Sequence, residues 1–177
     1  REFLQGFFMN FLSQLGFENI EREKLYDKYR ADMVAIRDGN TYIFELKTYR
    51  TEYASPSLIE NAVDMFKKMI NNIKDIKFKP IMIVSCKVNK ELKEKILSEK
   101  QIEIWDISNL IYLCNNSQSL IQKLSLYIPF TIFDIKPEKT IFYNEERKTS
   151  DEDAVKGKYK KYEKLLLECK PGNCENE

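Results

Sequence analysis

An Asp-Gly pair, Asp38-Gly39, separates two short apolar segments of this chain, ADMVAIR and TYIFELK. Asp-Gly between apolar runs is the strongest short-range signal for a tight β-hairpin, because both central residues of the turn need positive φ. The two segments are therefore predicted to pair as antiparallel strands. Apolar residues occupy consecutive positions in both segments, so both faces of each strand carry apolar side chains. This is typical of strands in the middle of a sheet that is covered on both faces.

Three ionisable residues interrupt these apolar strands: Asp32 in the first, and Glu45 and Lys47 in the second. If the two-residue loop begins at Asp38, Asp32 lies opposite Glu45. If the loop begins at Gly39, Asp32 lies opposite Lys47. Side chains two residues apart on a strand share a face, so Glu45 and Lys47 are neighbours in either register, and Asp32 joins them. Two carboxylates and an ammonium group are expected to converge.

A buried charge costs several kcal/mol in order of magnitude unless a partner or a metal compensates it. Two carboxylates one strand apart repel each other when both are ionised, and a hard divalent cation such as Mg²⁺ removes that repulsion. Lys47 would then orient an attacking water, accept its proton or stabilise an attacked phosphate, and the residue pattern leaves these three roles open. The simpler alternative is a salt-bridged hairpin in which Lys47 neutralises Glu45 or Asp32.

The spacing of these residues is that of a known motif: Asp32, then twelve residues, then Glu45-Leu46-Lys47. A carboxylate on one strand and Glu-x-Lys at the end of the next, with helices before and after, resembles the PD-(D/E)XK nuclease superfamily. More narrowly it is similar to the Mrr-type restriction endonuclease catalytic domain. The similarity covers about residues 2 to 115 and includes an N-terminal helix ending in LGF, the apolar strand IMIVSC and the closing segment IEIWDISNLIYL.

The resemblance implies a metal-dependent endonuclease domain that hydrolyses phosphodiester bonds, with DNA as the favoured substrate. Asp32 and Glu45 would bind Mg²⁺, for which Mn²⁺ would substitute, and Lys47 would assist the attack of water. The backbone carbonyl of Leu46 is a further candidate metal ligand. The proline of the superfamily motif is replaced here by Ala31, a variation that keeps the metal ligand.

Relatives of this type carry a glutamate on the first helix near the metal. Glu2 and Gln5 are the candidates for that position, and a second metal ion is left open. Tyr49 and Arg50 follow the catalytic strand directly, and a guanidinium there would hold a phosphate through two hydrogen bonds. The alternative is that they belong to a plain surface loop.

Basic residues on the second predicted helix, Lys67 and Lys68, are weaker candidates for nucleic-acid contact, since such lysines usually form a solvated face. Two alternatives to a restriction-type nuclease remain open. One is a catalytically silent module with a nuclease fold that binds DNA or regulates. The other is a structure-specific nuclease of the junction-resolvase kind. A homodimer and a place within a larger multidomain protein are both expected.

The pattern predicts an α/β fold with a mixed central sheet flanked by helices, in the order αβββαβαβα. FENIE is predicted as a short strand, and EREKLYDKYR as a turn or extended edge before the hairpin. Residues 1–115 are predicted to form the nuclease domain. Residues 116–177 are predicted to be a C-terminal extension, rich in alternating charge over 144–161, which leads into a further domain absent from this fragment.

The composition narrows the setting of the protein. The formal net charge of +1 over 177 residues neither favours nor excludes a polyanionic partner. Four unevenly spaced cysteines and no histidine match no common zinc signature, and Cys86 is expected to pack as a small apolar group. Few cysteines and no secretory signal predict a cytoplasmic protein. The apolar segment near the N-terminus is too short to span a bilayer, so no membrane association is expected.

Overall fold

The computed structural model describes residues 2–144, with side chains from residue 4 onward. Contacts divide the chain into two units, Arg1–Thr140 and Ile141–Glu177. The boundary predicted at residue 115 stays a prediction. The charged stretch 144–161, apart from its first residue, lies outside the described residues, as does YEKLLLECKPGNCENE, which is predicted to be a helix that ends at Pro-Gly.

Ten helices and strands are described within the first unit. In chain order they are α1 (Glu2–Gln14), β1 (Glu18–Tyr26), β2 (Tyr29–Arg37), β3 (Asn40–Lys47), α2 (Pro56–Asn72), β4 (Phe78–Val84), α3 (Lys90–Lys100), β5 (Glu103–Trp105), α4 (Ile107–Leu113) and α5 (Gln118–Ser125). The five strands form one sheet in the order β1-β2-β3-β4-β5. β1, β2 and β3 are antiparallel neighbours, whereas β4 runs parallel to β3 and β5 runs parallel to β4.

This architecture confirms the predicted fold class, a mixed five-stranded sheet flanked by helices, consistent with a restriction-endonuclease-like fold. The predicted element order is also confirmed, with α5 added after it. β3 is the central strand, and both connections between parallel strands contain a helix, as parallel pairing requires.

The β2–β3 hairpin turns at Asp38 and Gly39, whose φ angles are 50° and 78°. Arg37 pairs with Asn40 and Met33 pairs with Phe44, so the loop begins at Asp38. Positive φ at both central residues is what a two-residue hairpin loop demands. The first of the two predicted registers is therefore the one present.

Both faces of the sheet are covered, which explains why its central strands are apolar at successive positions. On one face, Ile43 and Met82 pack with α2 and α3 in a single buried cluster. On the other face, the ring of Phe17 meets those of Tyr42 and Phe44 at centroid distances of 4.9 and 5.5 Å. Phe44 also lies 5.9 Å from Trp105, the single tryptophan, which is fully buried.

The longest described helix, α2, has a capped N-terminus. Ser55 caps it by accepting a hydrogen bond from the backbone N–H of Leu58, and Pro56 occupies its first turn. Its buried face includes Ile59 and Phe66, while the opposite face is largely polar. Among residues 2–144, no helix combines the length and the apolar character needed to cross a membrane.

The first strand is longer than the predicted FENIE, and the extended-edge alternative holds for most of the segment that follows. β1 continues from Glu18 to Tyr26, so EREKLY is strand rather than a turn, and only Asp27-Lys28 forms the turn into β2. Two residues of β1, Asn19 and Glu23, have left-handed φ angles of 51°, and the register shifts between Glu18 and Glu21. An edge strand is mostly exposed, so its side chains carry no alternation that reveals it.

Cys86 and Cys114 are free and buried thiols, and burial raises the pKa of each to about 11. The thiolate is the reactive form of cysteine, and at these pKa values its fraction near pH 8 is about a hundredfold below that of an ordinary cysteine.

We expect iodoacetamide to leave Cys86 and Cys114 unmodified in the folded protein near pH 8, with reaction rising above about pH 9 or on unfolding in urea. Peptide mapping by mass spectrometry measures this. Labelling of either residue at the rate of free cysteine would contradict the burial described.

Candidate active site

Asp32 lies at the point where the two strands of the central hairpin separate. The ladder of paired residues between β2 and β3 ends at Met33 and Phe44, one position before Asp32. The Asp32 side chain is only 4% exposed, and its Oδ2 accepts a hydrogen bond of 2.8 Å from the backbone N–H of Leu46. The carboxylate therefore lies beside the peptide that joins Glu45 to Leu46.

Glu45 and Lys47 occupy the end of β3 and form an ion pair. Nζ of Lys47 is 3.5 Å from Oε1 of Glu45, and the two side chains are 35% and 15% exposed, respectively. The strand geometry places these two side chains on the same face, as the spacing predicts. The structure thus brings the three predicted residues together at the carboxyl end of the central strand, with Asp32 the most buried and Lys47 the most accessible.

The segment after Lys47 is fastened to the end of β4. The backbone N–H of Ser85 donates to the carbonyl of Lys47 at 3.1 Å. The Ser85 hydroxyl accepts from the N–H of Tyr49 at 2.6 Å and donates to the Tyr49 carbonyl at 3.2 Å. Tyr49 is half-buried and Arg50 is exposed, so both candidates for substrate contact directly follow the site on an ordered backbone.

The side chains of Tyr49 and Cys86, near this segment, both have raised pKa values. Burial raises the pKa of the Tyr49 phenol, and a nearby Cys86 thiolate would raise it further. Burial, followed by the charge of Asp106, raises the pKa of Cys86 against the lowering effect of a hydrogen bond from the Ala54 backbone. The burial of Tyr49 reflects its packing against the apolar cluster that includes Cys86.

The remaining predicted site residues lie in other settings. Gln5 is buried on α1, and its Nε2 donates to Oε1 of Glu23 on β1 at 2.6 Å. The side chain of Glu2 is outside the described part of the structure. Lys67 donates to the carbonyl of Lys100 at 2.8 Å and so stabilises the end of α3, whereas Lys68 is exposed. Their predicted roles at a second metal or on nucleic acid stay predictions.

A second charged cluster, which sequence reasoning missed, is buried where β5 enters α4. Nζ of Lys93 lies 3.1 Å from both Oδ1 of Asp106 and Oε2 of Glu138, and 2.9 Å from Oδ1 of Asn109. Asp106 and Asn109 also form a capping box at the start of α4. An acceptor followed three residues later by a second polar side chain is the signal that could have revealed the cap.

The available metal ligands at the hairpin are few. Across the described residues, no group of three or more Asp, Glu, Cys or His side chains is arranged to hold a metal ion. Asp32 and Glu45 are two carboxylates on neighbouring strands, Asp32 beside the Leu46 amide and Glu45 beside Lys47. Such a pair is the protein contribution that Mg²⁺ commonly has, because this ion retains several of its waters.

Solved structures similar to this chain share little sequence with it. No family model and no curated protein matches the chain. The protein of unknown function AF1548 is similar in structure, with 15% identity and a TM-score of 0.50 over 71% of this chain and 67% of that one. An fdxN element excision controlling factor protein from Anabaena variabilis has 14% identity and a TM-score of 0.45 over 60% of this chain and 90% of its own.

A repair endonuclease from Pyrococcus abyssi has 20% identity and a TM-score of 0.36, over 58% of this chain and 46% of its own. At such identities structural similarity concerns the fold alone. The chemistry therefore has to be argued from the residues of this chain.

Proposed function

We propose that this domain is a Mg²⁺-dependent nuclease that hydrolyses phosphodiester bonds in DNA, with Asp32 and Glu45 as metal ligands and Lys47 beside the attacked phosphate. The observation that carries the proposal is the buried Asp32 carboxylate, which is held against the Leu46 amide next to the Glu45–Lys47 pair. Three ionisable groups at the end of a buried central strand are costly to maintain without a ligand.

The donor set fits a hard cation. Asp32 and Glu45 offer oxygen atoms, the chain contains no histidine, and Mg²⁺ is bound in proteins through one or two carboxylates. The hydrogen bond from Leu46 fixes the orientation of the Asp32 carboxylate before any ligand arrives. When bound, the ion would lower the pKa of a coordinated water and neutralise charge on a phosphoryl oxygen.

Lys47 supplies the positive charge that the protein itself brings to the reaction. Its ammonium is partly exposed and pairs with Glu45, so it can exchange that partner for a phosphate oxygen when substrate binds. In that position it orients the attacking water or stabilises the negative charge that develops on the phosphate. Tyr49 and Arg50 follow on the same ordered segment and would contact the phosphates on either side of the attacked bond.

The proposal is tested by incubating the purified protein with linear duplex, branched and single-stranded DNA in the presence of Mg²⁺ or Mn²⁺. We expect cleavage of at least one DNA substrate that requires the cation and stops when EDTA is added, because both proposed ligands are carboxylates. Gel electrophoresis of labelled substrates measures it, and a preference for branched DNA would identify the junction-resolvase alternative.

The Glu45–Lys47 ion pair also favours a second candidate function, a nuclease-fold module that binds DNA without cutting it, because the two charges already neutralise each other. DNA binding without cleavage in either cation would support this module and overturn the nuclease. The cytoplasmic location, the homodimer and the larger multidomain protein stay predictions.

A further inference from the structure

We infer that Ser85 is a positioning residue for the proposed reaction: it holds the backbone on both sides of Thr48, and thereby places Lys47 and the segment after it against the substrate. This inference rests on the proposed function and deepens it. Ser85 lies on β4's extension rather than on the hairpin, and the Glu-x-Lys motif does not include it.

Ser85 makes three hydrogen bonds to Lys47 and Tyr49, one through its backbone and two through its hydroxyl. Its backbone N–H donates to the carbonyl of Lys47, and its buried hydroxyl both accepts from the Tyr49 N–H and donates to the Tyr49 carbonyl. The bond from the Ser85 backbone to Lys47 is the kind that a neighbouring parallel strand supplies. The Ser85 side chain adds two further bonds, both to Tyr49. The hydroxyl thus continues the β3–β4 pairing past the end of both strands.

A second set of contacts, between Lys87 and Glu52, holds the same segment further along the chain. The N–H of Lys87 donates to the carbonyl of Glu52 at 2.7 Å, and its ammonium lies 2.6 Å from Oε1 of Glu52. Tyr53 forms an isolated parallel bridge with Lys87. The segment from Thr48 to Ala54 is therefore held at two places, and Ser85 makes the one nearer to the site.

This arrangement matters because the attack of water on a phosphate depends strongly on alignment. Misplacement of a catalytic group by about 1 Å can cost about a hundredfold in rate, even when the change lies outside the reacting atoms. Lys47 reaches its position from the last residue of β3, where the strand would otherwise fray. Loss of the Ser85 hydroxyl leaves the carbonyl and amide of Tyr49 without that partner and loosens the backbone next to Lys47.

The experiment compares the parent protein with Ser85→Ala. We expect kcat for Mn²⁺-dependent DNA cleavage to fall about 10- to 100-fold. KM for DNA should change less than about threefold. The affinity for Mn²⁺, measured by calorimetry, should also change less than about threefold, because Asp32 and Glu45 are unaltered. Hydrogen exchange measured by mass spectrometry should become faster in the segment from Thr48 to Ala54.

Ser117→Ala is the matched control. It also removes a serine hydroxyl that accepts a backbone hydrogen bond, from Leu120 at 3.3 Å, but it does so at the start of α5. We expect this variant to retain the kcat of the parent. Equal losses of kcat in the two variants would overturn the inference, since they would reflect general destabilisation.

Unchanged exchange in Ser85→Ala would overturn the inference too, whatever the activity. A parent protein that cuts no DNA would instead overturn the proposed function and, with it, the role of Ser85 in cleavage. In that case the exchange measurement still decides whether Ser85 orders the segment. The failure of the inference is thereby distinguishable from the failure of the function.

Discussion

Asp32→Asn is expected to reduce cation-dependent DNA cleavage by roughly 10³-fold or more while the protein stays folded. Removing the charge takes away one of two carboxylate ligands, and metal-assisted charge stabilisation accounts for several kcal/mol of the barrier in such reactions. The amide oxygen of asparagine can still accept the hydrogen bond from Leu46, so the end of the hairpin keeps its structure. Cleavage kinetics in Mg²⁺ and Mn²⁺, with circular dichroism as the measure of folding, test this.

The same assay applied to Glu45→Gln and Lys47→Met should show losses of similar order, because each removes one of the three charges. Asp64→Asn is the control, since Asp64 is an exposed carboxylate paired with Lys100 on the helical layer. This control should cut like the parent. If the three site variants also cut like the parent, the assignment of the site is wrong.

Asp106→Ala is expected to lower the free energy of unfolding by about 3–5 kcal/mol. The Asp106 side chain is only 2% exposed, and its two oxygens accept from the N–H of Val88 and from the side chain of Ser108 while pairing with Lys93. Truncation leaves buried donors unsatisfied and removes one of the two anions that neutralise a buried ammonium.

Urea denaturation followed by the fluorescence of Trp105, the single tryptophan, measures this loss of stability. Glu60→Gln is the control, because Glu60 pairs with Lys95 at 3.6 Å on the surface, and breaking that pair should cost at most about 1 kcal/mol. The double variant Lys93→Met/Asp106→Leu should recover part of the loss, since the buried ammonium is removed together with Asp106 and only the partly exposed Glu138 remains charged. Equal stabilities of Asp106→Ala and the parent would show that the cluster does not stabilise the fold.

The central hairpin was predictable because its information is local. Asp38 and Gly39 tolerate the φ angles that the turn needs, and the period of two along a strand then relates Glu45 to Lys47. The choice between the two registers was not readable from the pattern, because they differ by two residues and leave every side chain on the same face. The structure shows positive φ at Asp38 and Gly39 and pairs Arg37 with Asn40.

β1 shows where local information ends. Its start at FENIE was predicted, but the residues from Arg22 to Tyr26 are mostly charged and exposed, and the pattern left them as a turn or an extended edge. Pairing with β2 makes them strand. Lys93 is one of several lysines in the sequence of α3. It is buried because it forms ion pairs with Asp106 and Glu138, which follow later in the chain. Neither feature leaves a periodic signal, since each depends on partners rather than on neighbours in sequence.

The amino-acid sequence by itself determined the order of the elements, the turn of the hairpin and the proximity of Glu45 to Lys47, because turn chemistry and residue periodicity act over a few positions. Only the tertiary structure decided how the Asp32 carboxylate meets the Leu46 amide and how Ser85 holds the backbone beyond Lys47. These contacts join residues that are 14 and 36 positions apart. Such pairings exist only after the sheet has assembled, because the register of its strands brings the partners within hydrogen-bonding distance.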